Sequence, residues 1–391
     1  MTRFDVLIVG GGLAGASLAL ALEPLGLRVA LVEAVTERQR IASAAGDRAL
    51  ALARGSVDIF QELGIWKHVG EHATPIKTIH VSDKGHFGKT RLHASDLGLE
   101  DFGHVVTARH LEKAVFEAGR KRAIEYICPA TVTGLQTEAT EIQIELESKE
   151  QLKRCRSRLV VAADGGNSRI RQWAGIGQWV NDYQQTALVA NVLTEIPHHF
   201  VAFERFTDTG PLAMLPLQGS KCAMIWTHER KNAREILSLT PQDIQVRLQE
   251  TFGWKLGRLK LEGNVKSFPL CLIRAKRLFA ERIALVGNAA HQLHPVAGQG
   301  FNLGLRDVMA LSRLLEKRVL QGGDPGALTL LEKYAKGRLS DHNKIIGFSD
   351  GLIDLFTPAT IPLALARNLG LTALDHLPMA KRWFARQAMG M

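Results

Sequence analysis

What this chain of 391 residues lacks narrows the reading before any motif is considered. Its four cysteines, Cys128, Cys155, Cys222 and Cys271, are widely spaced with no C-x-x-C pair. Neither a disulfide framework nor a zinc site is indicated, and a reducing cytoplasm is the expected home. Internal repeats, low-complexity tracts and a Ser-His-Asp order with a nucleophile elbow are missing too. An apolar strand pattern starts at Phe4, which leaves no room for the charged and apolar regions of a secretory leader, so export is not expected. The long stretch without formal charge, residues 283 to 305, contains His291, His294, Pro295, Gln299, Asn302 and several glycines. That makes it a poor membrane-spanning helix and a better loop.

The formal net charge of +10 invites a nucleic-acid reading. The positive residues are dispersed, however, in small groups at Arg120-Lys121-Arg122, Lys153 to Arg158, Arg274 to Arg277 and near Lys381. They lack the recurring aromatic partners of a single-strand stacking platform, so no nucleic acid is expected. An anionic cofactor, a phosphate-bearing donor and an anionic bilayer surface are the more economical partners. With 46% hydrophobic residues and 23% charged, the chain has material for a large core.

What is present is a set of three separated glycine stretches. Phe4 to Val9 reads as a buried strand feeding Gly10-Gly11-Gly12-Leu13-Ala14-Gly15, a G-x-G-x-x-G turn that opens a helical pattern. Gly10 suits the tight turn, Gly12 lets a pyrophosphate approach the backbone, and Gly15 lets the helix pack on the strand. Leu27 to Val32 reads as a second strand ending in Glu33, about 20 residues past the turn, where a carboxylate accepts the ribose hydroxyls of an adenosine half. The second stretch is the strand Arg158 to Ala163 ending in Asp164-Gly165-Gly166-Asn167-Ser168, with Arg169 and Arg171 close behind. The third is the strand Ile283 to Val286 leading into Gly287-Asn288-Ala289-Ala290-His291 and His294-Pro295-Val296-Ala297-Gly298-Gln299-Gly300-Phe301-Asn302-Leu303-Gly304. From Asn302 onward an apolar stripe predicts a helix, whose start presents free N–H groups to an anion.

These stretches together resemble the class A flavin-dependent aromatic hydroxylases, over nearly the whole chain. The segments Phe203-Glu204-Arg205-Phe206-Thr207 and Gly210 to Leu217, together with the His294 to Gly304 run, resemble the ubiquinone-biosynthesis hydroxylase family. Gly46 to Leu52, His80-Val81-Ser82-Asp83 and Gly287-Asn288 draw the likeness toward members acting on 2-polyprenyl-6-methoxyphenol. The resemblance implies an α/β fold: a Rossmann-like FAD-binding unit of the p-hydroxybenzoate hydroxylase type, an inserted mixed β-sheet substrate unit and a helical C-terminus. Residues 1–75, 102–180 and 270–340 are expected in the FAD unit, 76–101 and 181–269 in the substrate unit, and 341–391 in the helical segment. The helix is expected at Ala108 to Arg122 and strands at Glu141 to Glu147, Phe200 to Thr207, Leu212 to Leu217 and Cys222 to Thr227.

By that resemblance Gly10, Gly12, Gly15 and Glu33 hold the ADP half of FAD. Asp164 and Gly165 serve FAD and, transiently, NAD(P)H or another reductant. Gly287 and Asn288 hold the ribityl chain; the usual family text is Gly-Asp, so here a charged hydrogen bond becomes a neutral one. Arg48 reaches phosphate or ribityl oxygens, with Arg109 a weaker candidate. The backbone of Gly300, Phe301 and Asn302 stabilises the charge that develops on reduced flavin, Gly298 is a further FAD-binding candidate, and Pro295 forms a wall beside the oxygen-adding carbon. Dioxygen is the cosubstrate, and the hydroxyl reaches the carbon para to the phenol oxygen through a C4a-hydroperoxyflavin. A sister hydroxylase acting at another ring position, a flavin reductase of isoprenoid double bonds and a non-catalytic flavoprotein of a biosynthetic complex are the alternatives.

For the substrate, Phe203, Phe206, Met214 and Trp226 are candidates to line an apolar cavity, against the alternative that they are simple core. His291 and His294 have metal-pair spacing, but without nearby Cys, Asp or Glu partners no metal is expected. Beyond Asp375 there is no acidic residue, and Lys381, Arg382 and Arg386 flank Trp383 and Phe384. This mixture suits either an interfacial helix at the inner face of a membrane or a surface helix packed on the body. A polyprenylated phenol and other proteins of the same pathway are the expected partners.

Overall fold

The structure is a computed structural model. It describes residues 1–41, 44–148, 151–295, 298–356, 368, 370, 372–373, 375–377 and 381–382. Val296, Ala297, Trp383, Phe384 and Arg386 lie outside the described residues.

The first sheet is built on Thr2–Val9, whose Val6, Leu7 and Ile8 are fully buried. Burying each such side chain stabilises the fold by about 1.5–3 kcal/mol, so this strand occupies the middle of the layer. It runs parallel to Val29–Val32 on one side and to Gln151–Ala162 on the other. Ile124–Ile127 continues the sheet beyond Val29–Val32, and Ile283–Leu285 beyond Gln151–Ala162, both parallel. The three glycine stretches therefore leave the same edge of adjacent parallel strands, which is where doubly wound sheets bind ligands. Helices Leu13–Leu22, Ala108–Gly119 and Gln299–Leu320 cover the sheet. Thr131–Thr137 and Ile142–Ser148 add an antiparallel hairpin to the lower half of Gln151–Ala162.

The second sheet has eight strands in the order His291–Gln292, Leu259–Ala275, Gln178–Thr194, Lys221–Glu229, Gly210–Pro216, Val201–Thr207, Thr78–Asp83 and Lys89–His93. Its outer face packs on the helices Arg230–Leu237 and Pro241–Phe252. Its inner face roofs a cavity above the glycine stretches. Two strands of 17 residues, Gln178–Thr194 and Leu259–Ala275, pair along most of their length and reach from the first sheet into the roof. The pairing slips between Asp182 and Gln185 and between Val189 and Asn191. Gln184 has a positive φ of 55° at the first slip.

A small third sheet, Ala49–Ala53, Gly103–Thr107 and Thr74–Pro75, closes one side. The division expected between residues 340 and 341 falls inside a single helix, Leu328–Phe356. No helix among the described residues is long and apolar enough to cross a membrane.

Candidate functional site

The first glycine turn is held by contacts that only glycine permits. Gly10 has φ +104°, and a Cβ there would lie 2.4 Å from the Ala163 carbonyl oxygen. A Cβ on Gly15 would lie 1.9 Å from the Gly10 oxygen, so the helix packs directly on the strand end. At Gly12 a Cβ would meet nothing within 4 Å, leaving the backbone open to the cavity. Glu33 closes the turn from below: Oε2 accepts from Gly11 N at 2.6 Å and Oε1 from Val35 N at 2.8 Å. Arg40, which the sequence pattern did not single out, donates to the Gly11 carbonyl and lies 3.8 Å from Glu33. Beside the turn, a side cleft of about 200 Å³ is lined by Gly12, Arg40, Glu112 and Tyr126 among others.

The second and third stretches are tied together by Arg171. It is 1% exposed and donates to Ala289 O at 2.8 Å, to Gly166 O at 2.8 Å and to the Gln178 carboxamide. One guanidinium thus fixes the Asp164-Gly165-Gly166 loop against the Gly287 loop. Asp164 accepts from Ile170 N through Oδ2, while its buried Oδ1 has no hydrogen-bond partner among the described residues. Gly165, Gly287 and Asn288 line the main cavity. Gly287 has φ +58°, and a Cβ on Gly304 would lie 3.0 Å from the Gly287 Cα, so the long helix comes into backbone contact with the loop.

That helix begins at Gln299, not at the expected Asn302, with Gly298 (φ +63°) as its cap residue. Gly300, Phe301 and Asn302 therefore lie in its first turn, where backbone N–H groups have no partner within the helix and carry the positive dipole end. Gly298, Gly300 and Phe301 line the cavity, as do His294 and Pro295. The Asn302 side chain is committed elsewhere. Its oxygen accepts from Ala53 N and Ser56 Oγ, and its nitrogen donates to Ala51 O and Gly298 O. The side chain therefore anchors the loop, and the backbone N–H is what Asn302 has to offer a cofactor.

The two arginine candidates separate. Arg48 is exposed and lines the cavity. Arg109 does not line it and donates to Asp47 Oδ1 at 2.6 Å, while Lys266 bonds the other oxygen at 2.7 Å. The Lys266 and Arg109 hydrogen bonds hold the Asp47 carboxyl below the usual range.

The main cavity has a volume of about 1060 Å³. Of the four substrate-pocket candidates, Phe206 lines it and Phe203, Met214 and Trp226 do not. Side chains alternate across a strand, so Ala202, Glu204 and Phe206 face the cavity while Phe203 faces the outer helices. Met214 and Trp226 join Phe203 in that outer core, and Phe203 stacks edge-on against Phe252 at 5.5 Å. The inward positions are Ala213, Leu215 and Ile225 instead. Glu204 stands within the Phe203–Thr207 motif, and the same alternation brings it to the cavity. Burial pushes its carboxyl up to about 7. Burial also pushes His294 down to about 4, leaving a neutral imidazole that contacts Gln185 Oε1 at 3.2 Å.

The expectation that no carboxylate stands near the two histidines is overturned for His291. Asp307, 16 residues on and fully buried, lies 2.7 Å from His291 Nε2 and 2.8 Å from His342 Nε2. Three such groups could surround a cation. The Arg338 Nε, however, lies 2.7 Å from the same Asp307 oxygen that His342 contacts, so a protein cation already stands at the carboxylate. Burial pushes the Asp307 carboxyl up, but His291 and His342 outweigh it and hold the carboxyl well below its usual range. The cluster locks the Gly287–His291 loop to the helices Gln299–Leu320 and Leu328–Phe356.

A protein-family model described as an FAD binding domain matches residues 3–349. The chain is 37% identical over 388 residues to the ubiquinone hydroxylase UbiL of Rhodospirillum rubrum, covering 99% of this chain and 89% of that protein. It is 29% identical over 390 residues to the 3-demethoxyubiquinol 3-hydroxylase of Escherichia coli, covering 99% of this chain and 98% of that protein. The crystal structure of p-nitrophenol 4-monooxygenase PnpA from Pseudomonas putida superposes with a TM-score of 0.82 at 16% identity, covering 100% and 99% of the two chains. That last likeness is one of fold.

Proposed function

The chain belongs to the FAD binding domain family and is an FAD-dependent aromatic hydroxylase, and from that premise we propose that it acts in ubiquinone biosynthesis. Its substrate in this reading is 2-polyprenyl-6-methoxyphenol, hydroxylated at the ring carbon para to the phenol oxygen to give the 1,4-benzoquinol. A single observation carries it. One cavity runs from the glycine loops, past Pro295, under an apolar roof and out to Phe348 and Leu352, room for a ring and the start of a greasy tail beside a cofactor.

The residues fit FAD. Gly12 leaves open backbone where a pyrophosphate needs close approach, and the buried Asp164 Oδ1 awaits a donor. Gly10 to Gly15, with Glu33 and Arg40 beside them, would hold the ADP half, and Gly287, Asn288 and Gly298 the ribityl chain. The first-turn amides of Gly300 to Asn302 would meet the edge of the ring system that becomes negative on reduction. FAD supplies the oxygen chemistry, with a reductant and dioxygen as co-reactants. The chain's own residues orient the phenol, keep the cavity dry and hold the charge.

The test is to load the protein with FAD and supply NAD(P)H, the phenol and labelled dioxygen. One labelled oxygen para to the phenol oxygen is expected. Label at another carbon identifies a sister hydroxylase, the reading favoured by the name of the Escherichia coli relative. Donor consumption with a saturated double bond and no label identifies a reductase. Protein that takes up no FAD identifies a non-catalytic component. Reaching a lipid substrate calls for contact with the inner face of a membrane and with neighbouring pathway proteins, and both belong to the proposal. Deleting residues 378–391 is expected to weaken liposome binding, and unchanged binding would remove the tail from it.

A further inference from the structure

Six strands of the roof carry one continuous row of inward positions. Thr90, Val81, Glu204, Ala213, Ile225 and Val189 are successive cross-strand partners, and all six line the cavity. Five are small or apolar. Glu204 alone is ionisable, and it forms no hydrogen bond or ion pair with any described residue. A polar group kept in an apolar setting without a partner costs stability, so its presence in the middle of this ceiling calls for a polar atom on whatever sits below.

The other charged or titratable groups that line the cavity among the described residues are Arg48, Glu112 and His294. Arg48 and Glu112 interact with each other near Glu33 and Arg40, at the dinucleotide end, and His294 is neutral and turned to Gln185. From the helix Leu328–Phe356 the lining residues whose side chains are described are Phe348 and Leu352, both apolar. Arg205, next in sequence, points to the opposite face by strand alternation. Among the described residues, Glu204 therefore meets the cavity contents without a competing cation.

We propose that Glu204 is the catalytic base that takes the phenol proton. The inference rests on the hydroxylase reading above. The phenol O–H bond breaks and an O–H bond forms on the Glu204 carboxylate, while the electron pair left on the phenol oxygen flows into the ring and enriches the para carbon. That carbon gains the hydroxyl group and then sheds its own hydrogen as a proton. Glu204 returns its proton to the oxygen and ends as it began. Overall, one phenol, one dioxygen, one nicotinamide hydride donor and one proton give the quinol, water and oxidised nicotinamide. A base is most effective when its affinity for the proton is matched to the working pH, and burial has raised Glu204 toward that range.

The experiment uses the FAD-loaded enzyme in three forms: unaltered, Glu204→Gln and Glu204→Asp. Gln has nearly the same shape and removes a charge that is costly to bury, so folding and FAD uptake are expected to survive. The unaltered enzyme should gain kcat/KM as pH rises through about 7. Glu204→Gln should lower kcat by about 10²–10⁴-fold and lose that limb, with donor oxidation diverted to hydrogen peroxide. Glu204→Asp should keep the limb at a reduced rate. A second readout needs no turnover: 4-nitrophenol, whose phenolate is coloured, is titrated while bound to the oxidised enzyme. Its apparent pKa should fall in Glu204→Gln, because a negative charge beside the phenolate has gone.

A Gln variant that keeps both the rate and the limb, or a bound probe whose titration does not move, overturns the base. Failure of the substrate assignment looks different. The unaltered enzyme then makes no quinol from the polyprenylated phenol, while the probe still registers Glu204.

Discussion

Asn302 and Ser56, 246 positions apart, meet with the Ser56 hydroxyl 2.7 Å from the Asn302 carboxamide oxygen. The same carboxamide also bonds Ala53 N, Ala51 O and Gly298 O. One side chain thereby joins the start of the long helix to the strand Ala49–Ala53 and to the helix that follows it.

Asn302→Leu keeps the branched outline and the number of side-chain heavy atoms and abandons those four bonds. Each polar group left buried and unpaired costs about 1–3 kcal/mol, so the apoprotein should melt several degrees lower and bind FAD more weakly. Thermal unfolding and a fluorescence titration with FAD check the two effects separately.

Gly12 and Gly15 should respond in opposite ways to the same change. Gly12→Ala has room for its methyl group and should keep the melting temperature while excluding the dinucleotide, seen as colourless folded protein. Gly15→Ala would overlap the Gly10 oxygen and should destabilise the apoprotein by about 1–3 kcal/mol or more. Equal melting temperatures for the two variants would contradict the placement of the turn.

Much of this site was legible because its chemistry is written in contiguous text. Gly10 to Gly15, Glu33, Asp164-Gly165 and Gly287 to Gly304 each follow a strand, and the strands at Val201–Thr207, Gly210–Pro216 and Lys221–Glu229 lie within a few residues of their expected ends. What the text hid was long-range. Nothing near Asp307 announces that His291, Arg338 and His342 will converge on it, and Arg171 gives no local sign that it spans two loops. What separates Phe206 from Phe203, Met214 and Trp226, which take the core alternative, is the pleat. Residue type was read without the pleat, which sends alternate residues of one strand to opposite faces.

That pleat gives a direct comparison. Phe203→Ala removes a ring from the outer core and should cost about 3–5 kcal/mol with little change in KM for the phenol. Phe206→Ala opens the cavity wall and should raise KM for the phenol several-fold. Urea unfolding and steady-state kinetics on both variants separate the two faces.

Asp307 and the buried histidines His342 and His294 together set the acid sensitivity. The folded pKa of Asp307 lies below the ordinary 3.8, so the stability it contributes is complete above that value and is lost as pH falls from there through the lower folded value. His342 is pushed below 6.5, chiefly by burial, and His294 to about 4 for the same reason. The unfolded chain therefore takes up protons below pH 6.5 that the fold refuses, and stability should decline from there downward. Asp307→Asn leaves the Arg338 guanidinium paired with Asp341 alone and should cost about 1–3 kcal/mol at neutral pH. Urea unfolding from pH 8 down to below 3.8 gives these results.

The two slips in the pairing of Gln178–Thr194 with Leu259–Ala275 act as phase keys for the ceiling. Downstream of the first, Ala187 and Val189 look into the cavity, while Leu188, Ala190 and Val192 look into the helices. Removing one residue from Tyr183-Gln184 without restoring the count would exchange those two sets along the strand. Leu188 would hang over the reacting ring, and the helices would lose their grip. This stretch therefore tolerates exchange of side chains but not a change of one in length, so descendants of this scaffold must reshape their pocket by substitution here and keep insertions for the loops beyond the sheet.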